Sequence, residues 1–138
     1  MKVSDMMTRD ISVANPDQTV AEAAALMARR DIGALPVGEH DRLVGMITDR
    51  DIAVRSVAQG RGPDTPVREV MTDDVKYVFE DEEVDHVAQD MADIQVRRLP
   101  VLNRDKRLVG ILALGDLARG RAAKSAIRAL HGISQPAH

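Results

Sequence analysis

With 138 residues, 44% hydrophobic and 30% charged, the chain has enough apolar matter for a packed core, which excludes a disordered segment. A formal net charge of −3 and two aromatic residues, Tyr77 and Phe79, leave neither the basic surface nor the stacking platforms that nucleic-acid binding uses. The absence of cysteine removes disulfides, thiolate metal sites and cysteine nucleophiles, and no apolar run approaches the roughly 18 residues of a membrane span. With a polar, mixed stretch over residues 1–10, the expectation is a cytoplasmic protein that engages neither nucleic acid nor membrane.

In chain order, residues 11–14 are rich in β-branched side chains and predict a short first strand. A helix follows, with Thr19-Val-Ala-Glu22 at capping-box spacing and Val20, Ala23, Ala24 and Met27 on one face. Two apolar strands, 34–38 and 43–48, flank the polar loop Glu39-His40-Asp41 as in a hairpin, and a second helix opens near Asp49. Residues 59–66 are rich in helix breakers and read as a linker. The order then restarts with a strand over 75–79. The next helix carries acids at Asp81-Glu82-Glu83, where the macrodipole favours them, and Val84, Val87, Ala88 and Met91 as its apolar stripe. Strands over 98–102 and 108–113 flank the loop 103–106, and a last helix opens near Gly115. Beyond Leu117 a basic, helix-forming stretch runs to His131, with Gly132 and Pro136 as stops.

The halves are copies of one another. A shift of 64 residues aligns 3–37 with 67–101 at 12 identities in 35 positions. After one inserted loop residue, 42–53 against 107–118 adds 6 in 12, where random pairing over both stretches supplies roughly 3. The expected organisation is a first domain over 1–58, a linker over 59–66, a second domain over 67–131 with an extended C-terminal helix, and a tail over 132–138. The expected fold class is α/β (α+β), two β-α-β-β-α repeats. About 60 residues per copy cannot cover both faces of a three-stranded sheet, so the sheets are expected to pack on each other across a pseudo-twofold axis.

Met7-Thr8, Leu35-Pro36-Val37 and Leu43-Val-Gly-Met-Ile-Thr48-Asp49-Arg50-Asp51 recur as Met71-Thr72, Leu99-Pro100-Val101 and Leu108-Val-Gly-Ile-Leu-Ala113-Leu114-Gly115-Asp116. This ordered set resembles the CBS (cystathionine-β-synthase-type) domain, and its double occurrence is similar to the stand-alone bacterial CBS pairs. The resemblance spans residues 3–118 and implies a Bateman module. In that family, clefts between the two domains bind AMP, ATP or S-adenosylmethionine, and a change of shape or association reports occupancy.

The resemblance also assigns candidate residues. Asp51 and Asp116 match the ribose-binding position, where a carboxylate accepts from two vicinal hydroxyls. Each also stands in a first helical turn, where an acid needs no ligand to be favoured. Thr48 matches a phosphate-contacting hydroxyl, although Thr48-x-x-Asp51 is itself a capping-box pattern; the second copy has Ala113 there. Arg97 and Arg98 match basic residues facing the phosphates. Because strand neighbours point to opposite faces, one of the two is expected to reach the ligand, and a surface ion pair with Asp90 or Asp93 is the alternative. Ile32, Ala34 and Val96 match an adenine slot, and could equally be plain core.

Nothing points to catalysis. The four histidines are widely spaced, with no HxH or HExxH pattern, and there is neither a Gly-rich phosphate loop nor a nucleophile elbow. No catalytic residue, metal or obligatory cofactor is therefore expected. The leading expectation is a sensor of an adenosine-containing nucleotide acting through its own dimer or a protein target. The alternative is a docking module that binds no nucleotide. Met6, Met7, Ile52, Leu117 and the stripe from Val20 to Met27 are expected to supply the homodimer face.

Overall fold

A computed structural model of the chain describes residues 1–118, so the C-terminal helix and tail expected beyond that point lie outside the described residues. The described residues divide into two compact units: residues 12–75, and residues 1–11 together with 76–118.

In the unit formed by residues 12–75, Thr19 caps α2 (Val20–Arg30), its hydroxyl oxygen accepting from the Glu22 N–H at 3.1 Å. The helix ends at Asp31 in the left-handed conformation. Strands β1 (Ala34–Glu39) and β2 (Arg42–Thr48) pair antiparallel, with Ala34 opposite Thr48 and Val37 opposite Gly45. The expected strand over 11–14 is not formed: only Ala14 pairs, in parallel, with Val37 of β1. Directly after it, the Asn15 side chain accepts from the Asp17 N–H and turns the chain at Pro16. After β2, α3 (Asp49–Asp51) continues into a wide π-type turn over Ile52–Ser56 and a tight 3-10 turn over Val57–Gln59. Gly60, at φ 76°, ends the run. Val20, Ala23 and Met27 of the helix pack with Leu35, Val37 and Ile47 of the strands, and with Val67 and Val70, as one core. Each fully buried branched side chain contributes about 1.5–3 kcal/mol.

The other unit repeats the plan. β3 (Val78–Phe79) runs parallel to β4 (Arg98–Leu102), which pairs antiparallel with β5 (Leu108–Ala113), in the order β3-β4-β5. The expected strand over 75–79 therefore shrinks to two residues, while 98–102 and 108–113 form as expected. The helix α4 (Val84–Ile94) buries Val84, Val87, Ala88 and Met91. No side chain caps it; the Glu82 carboxylate instead accepts from the Phe79 N–H at 2.7 Å. The short α5 (Leu114–Ala118) follows β5, and α1 (Val3–Met6) supplies Val3 to the same core.

The boundaries of compactness differ from those of the sequence repeat. Residues 3–8, which open the first copy, belong with β5 of the second: Thr8 and Ile111 exchange both backbone hydrogen bonds, at 2.8 and 2.9 Å. Residues 67–72, which open the second copy, belong with β2 of the first, through the matching pair Thr72 and Met46. Two glycines permit this. A Cβ on Gly110 would lie 2.8 Å from both the Met7 sulfur and the Thr8 carbonyl oxygen. One on Gly45 would lie 2.6 Å from the Met71 sulfur and 2.8 Å from the Thr72 carbonyl oxygen.

The residues expected to form an outer apolar face are mostly core. Met7, Leu117, Val20, Ala23 and Met27 are buried, because helix and leading segment turn these side chains onto their own sheets. The exposed apolar residues include Val54 and Val57, at 45% and 69% exposure.

Candidate functional site

At the junction of β2 and α3 the chain leaves a strand and enters a helical turn, so several backbone N–H groups lack helical partners. Thr48 and Asp51 satisfy two of them reciprocally. The Thr48 hydroxyl accepts from the Asp51 N–H at 3.0 Å, and Asp51 Oδ2 accepts from the Thr48 N–H at 2.9 Å. The capping box that the spacing of these two suggests is thus formed. It engages one carboxylate oxygen only: Oδ1 of Asp51 has no hydrogen-bond partner among the described residues, and the residue is half-buried. Ala34 stands opposite Thr48 in the ladder, half-buried. Ile32 packs against the edge of the core, so it serves as partial core rather than as a free wall.

The corresponding junction of β5 and α5 is differently wired. Asp116 Oδ2 accepts from the Ala113 N–H at 2.9 Å, reproducing half of the box. The other half is missing because Ala113 has no hydroxyl. Asp116 Oδ1 accepts instead from the Thr8 hydroxyl at 3.2 Å, and the residue is only 5% exposed. Val96 packs against the core of this unit, half-buried. Arg97 and Arg98 are both exposed, and neither has an ion-pair partner among the described residues. The surface pairs expected with Asp90 or Asp93 are absent there: Asp90 faces His86 at 3.6 Å, and Asp93 accepts from Gln89 at 2.9 Å. The structure thus brings Thr48, Asp51 and Ala34 together in one unit and Asp116, Arg98 and Val96 in the other.

Two contacts at these junctions were not anticipated from sequence. One is the reach of Thr8 to Asp116. The other is Arg55, whose Nη1 donates to the Met71 carbonyl at 3.1 Å and, more loosely, to the Thr72 hydroxyl at 3.5 Å. The recurrence of Met-Thr at 7–8 and 71–72 was the available signal. Among the described residues no cluster of His, Asp or Glu could hold a metal ion.

A model of the CBS domain matches the chain twice, over residues 3–57 and 67–123. The chain belongs to the CBS domain family. The CBS domain-containing protein YhcV of Bacillus subtilis is 46% identical to this CBS pair over 133 residues, 96% of this chain and 94% of YhcV. Among solved structures, the CBS domain pair of MJ0100 in complex with 5′-methylthioadenosine and S-adenosyl-L-methionine aligns at a TM-score of 0.76 and 34% identity, over 90% of this chain and 98% of that one. CBSX2 in complex with AMP aligns at 0.74 and 25% identity, over 97% and 98%. The matched ranges follow the sequence copies, not the compact units.

Proposed function

We propose that this CBS pair is a non-catalytic, cytoplasmic regulatory module that binds an adenosine-containing ligand and reports occupancy through its own dimer or a partner protein. The carrying observation is Asp51: a half-buried carboxylate with one oxygen spent on the backbone and the other open among the described residues. An open carboxylate oxygen beside a backbone turn is suited to a ribose hydroxyl, which it accepts in a charge-assisted bond. Thr48 sits beside it for a phosphate and Ala34 offers apolar surface; in the other unit Arg97 and Arg98 are exposed guanidinium groups suited to bidentate phosphate contact. The ligands of the MJ0100 pair and of CBSX2 support AMP-like or S-adenosylmethionine-like chemistry.

A ligand that binds only the folded chain stabilises it by about 2.7 kcal/mol at a hundredfold excess over Kd. Melting is therefore expected to rise by several degrees with AMP, ATP or S-adenosylmethionine. Asp51→Asn keeps a capping side chain but removes the charge. Its apo melting should stay close to that of the parent, while calorimetric affinity falls about tenfold to a hundredfold. Lower apo stability with unchanged affinity makes Asp51 a cap and nothing more. The second reading, a docking module without nucleotide, is favoured by the internally satisfied Asp116; it takes over if none of these compounds shifts melting.

A further inference from the structure

Because the two copies share a plan, the unit built on β4 and β5 serves as an internal control for the unit built on β1 and β2. The leading segments occupy the same place in both. Thr8 pairs with Ile111 as Thr72 pairs with Met46, Met7 lies over Gly110 as Met71 lies over Gly45, and the backbone distances are the same. The two threonine side chains nevertheless do different things. The Thr72 hydroxyl meets the Arg55 guanidinium, and Asp51 keeps an open oxygen. The Thr8 hydroxyl is given to Asp116, whose second oxygen already holds the Ala113 N–H. In sequence, the shift that equates Met46 with Ile111 pairs Arg55 with Gly120, so the second copy has no arginine at that position.

We infer that Thr8 makes the two copies unequal as ligand sites: its hydroxyl takes, from within the chain, the carboxylate oxygen of Asp116 that a ligand hydroxyl would need. The inference rests on the proposed reading of the Asp51 and Asp116 carboxylates as sugar-hydroxyl acceptors. An incoming vicinal diol at Asp116 must displace a donor of the same chain that two backbone hydrogen bonds hold beside β5, and so is present at high effective concentration. At Asp51 no such displacement is needed. Occupancy of the Asp116 junction is therefore coupled to release of the Thr8 side chain, whereas occupancy of the Asp51 junction leaves residues 1–8 as they are.

The test is the stoichiometry of AMP binding to the full chain, read by calorimetry and checked by equilibrium dialysis. The parent chain should take one AMP per chain. Thr8→Val, close in shape but without the hydroxyl, should take a second AMP. Thr8→Ser, which restores the donor, should return to one. Affinity of the first site should change by less than about twofold in either variant, since separate sites act independently. Thr8→Ala repeats the measurement with a smaller side chain in case the valine folds poorly. A stoichiometry of one in both hydroxyl-free variants overturns the inference and assigns the inequality to Ala113. Two AMP bound by the parent chain also overturns it, while leaving the proposed function standing. No AMP bound by the parent or any variant removes the proposed function and this inference together.

Discussion

Two units built to one plan differ most where backbone gives way to side chain. In residues 12–75 the β2–α3 junction is a complete capping box with a carboxylate oxygen left over. In the other unit, the β5–α5 junction has lost the hydroxyl at Ala113, keeps half the box, and closes its carboxylate with Thr8. Duplication copied the ladder, the glycine under the crossing segment and the Met-Thr pair in both cases. The junction side chains have drifted, with Ala113 standing where the other copy has Thr48. Scaffold positions are held by apolar packing on all sides, whereas the junction side chains are held by a few hydrogen bonds whose partners differ between the copies.

That contrast can be broken most forcefully in the cores. Ile47 and Leu112 are fully buried at matching positions of β2 and β5. Ile47→Ala and Leu112→Ala should each cost about 2–5 kcal/mol, read as a lowered urea midpoint at unchanged slope. Costs that differ widely between the two would mean that the plan is shared in outline only. Next come the glycines. Gly45→Ala and Gly110→Ala force a Cβ against a methionine sulfur and a carbonyl oxygen, and each should cost about 1–3 kcal/mol in the same assay. A neutral substitution at either would place the leading segment farther from the hairpin than the structure does.

Smaller effects sharpen the difference at the helices. Thr19→Ala removes the cap of α2 and should cost about 1 kcal/mol, whereas Glu83→Ala in front of α4 removes no cap. Thermal unfolding of the two variants side by side reads this. The smallest effect is electrostatic. Arg104 donates to both oxygens of Asp81, at 2.9 and 2.8 Å, and this pairing holds the Asp81 carboxyl below its ordinary value. A depressed folded value means the pairing stabilises fully above the ordinary Asp pKa of about 3.9 and is lost as pH falls through the folded value. On this exposed surface the contribution is small and screened by salt. Carboxyl-carbon NMR should show Asp81 titrating at higher pH in Arg104→Ala; no movement would deny the pairing.

Much of the fold was legible before the structure. The heptapeptide around each Leu-Val-Gly, the Thr19 cap and the stripes Val20-Ala23-Met27 and Val84-Val87-Met91 mark strands and helices by period and by chemistry that acts within one turn. The first strands were overread. Ile11 and Val13 have the composition of a strand, but only Ala14 finds a pairing partner, and composition alone does not count partners. The crossing of the leading segments was not legible either, because nothing in Met7-Thr8 says which sheet it will meet. At the site, the Thr48–Asp51 box could be read from spacing. The closure of Asp116 by Thr8 joins residues 108 positions apart, beyond the reach of any local pattern.

The central claim, an open carboxylate in one unit and a closed one in the other, is tested most directly by amide NMR of the full chain titrated with AMP. The expected result is a saturable shift of the Thr48 and Asp51 amides at concentrations where those of Ala113 and Asp116 do not move. Equal shifts at both junctions, or shifts at Asp116 alone, would contradict it.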